Sequence, residues 1–511
     1  MATNISKIFS SELEGINAKL IEVETDINVG LHSFIIVGLA DKALNEAKER
    51  VNSALKNIGV KAPNRENRKI VVNLAPADIK KTGSQYDLAI AIGYLLATKQ
   101  IKEFETKNKI FIGELSLEGG LRSITGSLNT AYLAKTLGLK ELFLPEENAA
   151  EAAIIKSIDV FPVKNLKQLI NHLEGKELIS KQEPTKIIYK NSGIIDISEI
   201  KGQEFAKRAL IISATGSHNL LMVGSPGTGK TMLAESLASI LPDPNEEEII
   251  EITKIYSSAG LLNKNPYVTG RPFRSPHQTA SSASIIGGGT NPRPGEISLA
   301  HRGVLFLDEL PEFRRDVLES LRQPIEKGIA VISRAKASLE FPAKFIFVGA
   351  MNPCPCGFYG DEEKACECGA YEILKYQKKL SGPLLDRIDI QINVPRIKYE
   401  ELSNKKSKDK SVSEDIKLRI LSAKKIQEER LASIGKLANS EMSSKECDEL
   451  VKMESSAEKL LKSILEKSIV SPRTYYRIIK VSQTIADLEN SATVKESHVS
   501  EAFSLRMRES K

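Results

Sequence analysis

The amino-acid sequence contains no apolar stretch long enough to cross a lipid bilayer. The longest apolar run, Leu88–Ala97, has about half the necessary length and contains Gly93 and Tyr94, so it predicts a buried helix. The first residues show no basic region followed by an apolar segment, which is the pattern of a secretory signal. We therefore expect a cytoplasmic protein with no membrane partner.

The chain also has few cysteines and a small net charge. The chain has five cysteines, and four of them fall between Cys354 and Cys368, a cluster that in a cytosolic chain suggests a metal before a disulfide. The 72 basic and 66 acidic residues give a net charge of +6. This balance permits a nucleic-acid partner but does not argue for one, because a local basic groove matters more than the sum.

Periodicity divides the 511 residues into several domains. Residues 1–175 alternate strand-like and helix-like segments and predict an α/β domain, residues 195–396 predict a second α/β domain built on a parallel sheet, and residues 416–511 look helical. Residues 176–194 lack apolar periodicity and residues 397–415 are highly charged, so both predict linkers. The second linker is either a solvated segment or a basic arm that binds nucleic acid.

A phosphate-binding loop is encoded between an apolar strand and a helix. The segment 224–231 fits the full pattern Gly-x-x-x-x-Gly-Lys-Ser/Thr, after strand-like residues 220–223 and before helix-like residues 232–240. Its glycines let backbone N–H groups turn toward phosphate oxygens at a helix N-terminus. We expect Lys230 to reach the β- and γ-phosphates and Thr231 to ligate Mg²⁺. The predicted nucleotide-binding residues are Gly224, Ser225, Pro226, Gly227, Thr228, Gly229, Lys230 and Thr231.

Two further apolar strands end in polar residues. Residues 304–307 run into Asp308 and Glu309, and residues 345–348 lead to Asn352. Because parallel strands deliver their C-terminal ends to one edge of a sheet, we expect these residues beside the phosphates. Asp308 would hold Mg²⁺ and Glu309 would activate the attacking water. Asn352 would position that water or sense the γ-phosphate, or else be a structural turn residue before Pro353.

Two arginines later in the chain are candidates for contact with the γ-phosphate. Arg387 either acts on the nucleotide of a neighbouring subunit or forms an intrachain pair with an aspartate. Arg473 opens a predicted helix and either brings that helix over the γ-phosphate as a lid or is a surface residue at a helix start.

Together these residues resemble the AAA+ ATPases of the magnesium-chelatase branch, and the match is strongest to the ComM family, also called YifB-like. The motifs that carry the resemblance cover nearly the whole chain and are Val37-Gly-Leu-Ala-Asp-Lys, Asn73-Leu-Ala-Pro-Ala-Asp78, Arg271-Pro-Phe-Arg-Ser-Pro-His277, Gly295-Glu-Ile-Ser-Leu-Ala-His-Arg-Gly303, Asn352-Pro-Cys-Pro-Cys-Gly357 and Gly382-Pro-Leu-Leu-Asp-Arg-Ile-Asp389.

The resemblance implies a bacterial hexameric ATPase that uses ATP and Mg²⁺ to drive branch migration of DNA joints, with a role in natural transformation. The implied partners are branched or single-stranded DNA, bound without base readout, and further copies of the chain. Two alternatives stay open. One is the motor subunit of a metal chelatase, and the other is a regulator or chaperone that remodels protein.

The N-terminal domain resembles the fold of the Lon protease domain, whose chemistry uses a Ser–Lys pair. The match places Gln85 at the position of the nucleophile and Leu128 at the position of the lysine, while Ser84 is one position away and has no evident base. Without an activated nucleophile there is no acyl chemistry. We expect a non-proteolytic scaffold or DNA-handling domain.

Two insertions are candidates for the pore of a ring. One is Ser284–Ala300, and the other is a hairpin-like segment, Ala330–Phe341. Arg334 and Lys336 near the hairpin tip either meet DNA phosphates or are solvated surface residues.

The cysteine cluster has two Cys-x-Cys pairs. Four thiolates can close a tetrahedral Zn²⁺ site, or the cluster can be reduced structural thiols. Its members are Cys354, Cys356, Cys366 and Cys368. The fifth, Cys447, lies in a charged helical region and is expected to be an incidental free thiol.

Overall fold

A computed structural model of the chain describes residues 5–39, 41–65, 67–188, 195–262, 265–289, 292–333, 338–397, 410–467 and 471–506. The chain divides into two compact units. The first comprises Met1–Ile188 and Glu246–Thr269, and the second comprises Tyr189–Asn245 and Gly270–Lys511. None of the helices in the described ranges is both long and apolar enough to span a bilayer.

The strands in chain order are β1 (Ile5–Glu14), β2 (Asn17–Val29), β3 (Ser33–Val37), β4 (Arg68–Ala75), β5 (Lys109–Phe111), β6 (Glu114–Leu115), β7 (Leu121–Arg122), β8 (Glu141–Pro145), β9 (Asp159–Val163), β10 (Leu220–Val223), β11 (Phe273–Arg274), β12 (Gly287–Gly288), β13 (Arg293–Pro294), β14 (Val304–Leu307), β15 (Ile329–Ser333), β16 (Ser338–Pro342), β17 (Ile346–Met351) and β18 (Ile390–Asn393).

The α-helices in chain order are α1 (Lys42–Asn57), α2 (Asp87–Ala97), α3 (Ser127–Leu137), α4 (Glu146–Ala152), α5 (Leu166–Leu173), α6 (Glu204–Gly216), α7 (Lys230–Ile240), α8 (Glu246–Ala259), α9 (Ser282–Ile286), α10 (Glu296–Leu299), α11 (Arg315–Ser320), α12 (Arg322–Lys327), α13 (Ala370–Gln377), α14 (Gly382–Leu385), α15 (Lys410–Leu431), α16 (Ser444–Leu450), α17 (Ser455–Lys467), α18 (Pro472–Leu488) and α19 (Glu496–Ser504).

The first unit is built on a seven-stranded mixed sheet with the order β3-β4-β2-β1-β5-β8-β9. Helix α1 begins where the Asp41 side chain accepts a hydrogen bond from the backbone N of Leu44 and so caps the helix. Helix α2 is buried along nearly its whole length, as its apolar run predicts. Strand β1 pairs with β2 along its whole length.

The second unit is built on a five-stranded sheet with the order β11-β14-β17-β10-β18. Each neighbouring pair in this sheet is parallel, which confirms the expected parallel α/β core. Strands β10, β14 and β17 are completely buried. Apolar residues of the late helices, among them Ile420 and Ile478, share one hydrophobic core with the sheet and with helices α6 and α7.

Two elements differ from the expected boundaries. Helix α8 lies in the range assigned to the second α/β domain, yet it belongs to the first unit, where Ser257 Oγ donates to the Glu151 carboxylate. Helix α15 begins at Lys410, inside the range expected as a charged linker. The β15–β16 hairpin confirms the hairpin-like pattern, but its tip, with Arg334 and Lys336, lies outside the described residues.

Candidate nucleotide-binding site

The phosphate loop connects strand β10 to helix α7. Strand β10 lies between β17 and β18, where the order of strands reverses, and crevices at such switch points are the usual ligand sites of open α/β sheets. Gly227 and Gly229 have φ angles of +77° and +83°, which glycine adopts without strain. At Gly224 a Cβ would lie 2.4 Å from the carbonyl oxygen of Val394, so the backbone leaves no room for a side chain there.

Lys230 lies with its side chain folded into this loop. Its Nζ donates to the carbonyl oxygens of Gly224 at 2.7 Å and Ser225 at 2.9 Å, and to Oδ1 of Asn352 at 3.3 Å. Burial lowers the pKa of Lys230, while the negative charge of Asp308 acts in the opposite direction. The partly buried Lys230 ammonium can exchange these neutral oxygens for those of a phosphate, because a hydrogen bond between two charged groups is stronger than one to a neutral oxygen.

The two expected Mg²⁺ ligands are in direct contact. Thr231 Oγ1 donates to Asp308 Oδ2 at 2.9 Å, and Asp308 Oδ1 accepts from the backbone N of Glu309 at 2.9 Å. Magnesium takes hard oxygen ligands and usually keeps several waters, so it is commonly held by one or two protein groups and the phosphates. The hydroxyl and carboxylate at this edge of the sheet fit such an ion.

Glu309 follows Asp308 with an unusual backbone. Its φ of +50° lies in the left-handed region, which few residues other than glycine adopt. The side chain is exposed, and within the described residues its carboxylate accepts no hydrogen bond. A strained residue with a free carboxylate beside the Mg²⁺ ligands has the placement that activation of a water molecule requires.

Asn352 completes the set of residues at the ends of the strands. It follows β17, and its Oδ1 is the third acceptor of Lys230 Nζ. The structure thus brings together the loop after β10, Asp308 after β14 and Asn352 after β17, as the parallel-strand argument predicts.

Arg387 forms an intrachain ion pair. Its Nε lies 3.0 Å and its Nη2 2.5 Å from Glu326 Oε2, and its Nη1 donates to the carbonyl oxygen of Pro383 at 2.7 Å. The partner is a glutamate of helix α12, whereas the sequence analysis considered an aspartate. A glutamate 61 residues away gives no local signal, so sequence reasoning missed Glu326.

Arg473 lies in the first turn of helix α18, where a cation is disfavoured by the helix dipole. The pKa of Glu326 is lowered mainly by its hydrogen bond from Arg387 and further by the positive charge of Arg473. In the described ranges no hydrogen bond or ion pair joins Arg473 to the phosphate loop. Its role over the nucleotide of its own chain therefore stays a prediction.

The four clustered cysteines converge. Their Sγ atoms all lie within 4.8 Å of one another, and none is in a disulfide. The Sγ atom of Cys354 lies 3.3 Å from that of Cys356 and 3.7 Å from that of Cys366. Four sulfurs about 2.3 Å from a tetrahedral Zn²⁺ would be roughly 3.8 Å apart, so the cluster has nearly the size of an occupied site.

The protease-like region of the first unit holds a different network. Ser84 Oγ donates to the Glu114 carboxylate, Gln85 Nε2 donates to Glu12 Oε2 at 2.9 Å, and Leu128 is fully buried. Burial raises the pKa of Glu12 to about 7. Lys81, the buried lysine of this region, donates to the carbonyl oxygen of Pro76. Among the described residues, no lysine is bonded to Ser84.

The fold of the second unit and the residues at its sheet edge define a P-loop ATPase of the AAA+ class. Three family models match the chain. They are "Magnesium chelatase, subunit ChlI" over residues 196–402, "Subunit ChlI of Mg-chelatase" over residues 23–148, and "Magnesium chelatase, subunit ChlI C-terminal" over residues 410–506.

Curated relatives match over the full length. Competence protein ComM of Haemophilus influenzae is 40% identical over 98% of this chain and 97% of its own length, and protein YifB of Escherichia coli is 39% identical over the same shares. The magnesium-chelatase 38 kDa subunit of Rhodobacter capsulatus is 28% identical over 34% of this chain and 55% of its own. The chain belongs to the ComM/YifB family of magnesium-chelatase-like AAA+ proteins, and membership implies ATPase activity.

Proposed function

We propose that the protein is a hexameric ATPase that couples ATP hydrolysis to branch migration of DNA joints. The observation that carries the proposal is the contact of Thr231 with Asp308 beside Lys230, in a chain that matches a competence protein along its whole length. The family resemblance implies both the DNA substrate and the hexamer. The name of the Haemophilus influenzae relative, a competence protein, also supports DNA as the substrate.

The geometry of the phosphate loop and the strand ends supports the following roles in hydrolysis. Lys230 binds the β- and γ-phosphates after exchanging its loop carbonyls for phosphate oxygens. Thr231 and Asp308 hold Mg²⁺, which when bound neutralises charge that develops on the phosphates. Glu309 accepts a proton from the attacking water. Asn352, whose Oδ1 contacts Lys230 Nζ, positions that water or senses the γ-phosphate.

Arg387 acts on the nucleotide of a neighbouring subunit, and Arg473 brings helix α18 over the γ-phosphate as a lid. Both side chains lie near Glu326, and neither has a described contact with the phosphate loop of its own chain. An ion pair with Glu326 holds Arg387 in place until a γ-phosphate competes for the guanidinium. An arginine supplied in trans stabilises the charge of the transition state, which requires an assembled ring.

The four clustered cysteines hold a structural Zn²⁺. Two backbone amides support this proposal, because Cys356 N donates to Cys368 Sγ at 3.4 Å and Tyr359 N donates to Cys354 Sγ at 3.3 Å. Such hydrogen bonds stabilise thiolate charge, and the zinc ligand is the thiolate. The distances between the sulfurs provide the second support.

A basic surface of the second unit is the proposed DNA contact within the described residues. Arg315, Lys375 and Lys378 are exposed, line a cavity of about 440 Å³, and have no ion-pair partner in the part of the chain that the structure describes. Arg315 also lies in the first turn of helix α11, where the helix dipole disfavours a cation. Unpaired cations from two helices are suited to phosphates, which are bound without reading sequence.

The test is the ATPase rate with single-stranded, duplex and branched DNA. We expect branched DNA to stimulate the rate most, and Lys230→Ala to remain inactive with each DNA. A metal-chelatase motor is the second candidate because of the partial match to the 38 kDa subunit. If DNA leaves the rate unchanged while a metal-inserting partner raises it, the second candidate replaces the first.

A further inference from the structure

The segment between the cysteine pairs lies against the phosphate loop. We term residues 354–368 the cysteine loop. Gly357 has a φ of +87°, and a Cβ at this position would lie 2.7 Å from Cδ of Pro226. The backbone of the cysteine loop therefore packs directly on the third residue of the phosphate loop.

A buried carboxylate makes the second contact. A hydrogen bond with Ser225 is the main cause that lowers the pKa of Asp361 to about 2. The Asp361 side chain is 2% exposed and lies 2.9 Å from Nε of Arg396, just beyond strand β18. Its Oδ1 also accepts from the backbone N of Glu363 at 3.0 Å and of Lys364 at 3.1 Å. One carboxylate thus joins the cysteine loop, the phosphate loop and the end of β18.

We propose that metal bound by the four cysteines controls nucleotide affinity, because the cysteine loop clamps the phosphate loop through Gly357 and Asp361. The proposal rests on the zinc and nucleotide sites proposed above and adds an energetic coupling between them. A metal closes the cysteine loop and fixes the position of Asp361. Ser225 and Pro226 are then held in the conformation in which the backbone N–H groups of the phosphate loop point toward a bound phosphate.

The coupling has a reciprocal consequence. Pre-organisation raises affinity by removing the cost of ordering the loop at the time of binding. If the metal raises the affinity for nucleotide, the nucleotide raises the affinity for metal by the same factor, because binding free energies are linked. Couplings between sites are commonly in the range of about 5- to 150-fold.

The experiment measures MgADP binding by calorimetry on the full-length protein, as purified and after treatment with a zinc-selective chelator and return to Mg²⁺ buffer. We expect zinc removal to weaken MgADP binding by about 10-fold, within the range usual for linked sites. Asp361→Asn should weaken binding while the protein keeps about one Zn²⁺ per chain. The matched control is Glu362→Gln, which removes an exposed carboxylate from the adjacent position and should leave affinity unchanged.

A second measurement follows zinc transfer to a coloured chelator. MgADP should slow the transfer from the wild type and have little effect on Asp361→Asn. The coupling is overturned if the protein binds MgADP with equal affinity with and without zinc. It is also overturned if zinc-loaded Asp361→Asn binds MgADP with wild-type affinity. A wild-type protein that binds no MgADP would refute the proposed nucleotide site, and one that carries no metal would refute the proposed zinc site. Either result also overturns the coupling. Calorimetry and metal analysis distinguish the two results.

Discussion

Thr231 Oγ1 and Asp308 Oδ2 lie 2.9 Å apart, although 77 residues separate them in the chain. The contact joins the first turn of helix α7 to the end of strand β14. A single Mg²⁺ can be held by both oxygens, while Lys230 and Glu309 lie on either side of the pair in sequence.

Lys230→Ala and Glu309→Gln should both abolish ATP turnover, but for different reasons. Loss of Lys230 removes a phosphate contact and should lower ATP affinity. Loss of the Glu309 carboxylate should leave ATP bound and reduce the rate by roughly 100-fold or more, as for loss of a general base. Equilibrium binding and steady-state ATPase assays separate the two effects.

The control for Glu309→Gln is Glu247→Gln, which changes an exposed glutamate of helix α8 in the first unit and should leave turnover unchanged. Hydrolysis at close to the wild-type rate by Glu309→Gln would remove Glu309 from the mechanism.

Arg387→Ala subunits should be rescued by Lys230→Ala subunits in mixed rings. One type of interface in such a ring has an intact arginine facing an intact phosphate loop, so some activity should return. Each variant alone should be inactive, because an arginine in trans contributes about 10³- to 10⁵-fold to the rate. Absence of rescue at every mixing ratio, with mixed rings verified by mass, would show that Arg387 acts within its own chain or only structurally.

The purified protein should contain about one Zn²⁺ per chain, and the double variant Cys354→Ser/Cys356→Ser should lose both the metal and thermal stability. Cys447→Ser is the control, since this buried cysteine is not part of the cluster and its loss should leave the metal in place. Elemental analysis of freshly purified protein never exposed to chelators checks the prediction. Finding no zinc would identify the cluster as plain thiols.

The double variant Lys375→Ala/Lys378→Ala should weaken DNA binding at all sequences and leave the basal ATPase unchanged. Two lost phosphate contacts should reduce the slope of log affinity against log salt by about 1.8 for duplex DNA. Lys135→Ala, which removes an exposed lysine of helix α3 in the first unit, is the control. An unchanged salt dependence would place the DNA contact elsewhere, for instance at Arg334 and Lys336.

The candidate nucleotide site was predictable from the sequence because each part has a local signal. The phosphate loop is a continuous motif, and Asp308 and Asn352 each end an apolar run. Parallel pairing of those runs fixes which edge of the sheet they share, so their convergence on Lys230 follows from topology alone. The hairpin-like pattern predicted for Ala330–Phe341 likewise agrees with the pairing of β15 and β16.

Contacts between distant polar side chains were not predictable. The sequence of helix α8 does not show which domain covers the helix, so the expected domain ranges did not separate it from the second α/β domain. Glu326 and Asp361 are ordinary acidic residues in sequence, and only the fold places them against Arg387 and Ser225. Arg473 marks the start of a helix, but its sequence gives no information about which nucleotide it faces.

The most direct measurement is the fate of a four-way or three-stranded DNA joint incubated with the protein, ATP and Mg²⁺. We expect the joint to be resolved into duplex products by the wild type and to stay intact with Lys230→Ala. Ser84→Ala should also resolve the joint, because we expect Ser84 to take no part in catalysis. The proposal of a DNA branch-migration motor would be contradicted if joints were resolved without ATP or without Lys230. It would also be contradicted if joints stayed intact while the protein hydrolysed ATP.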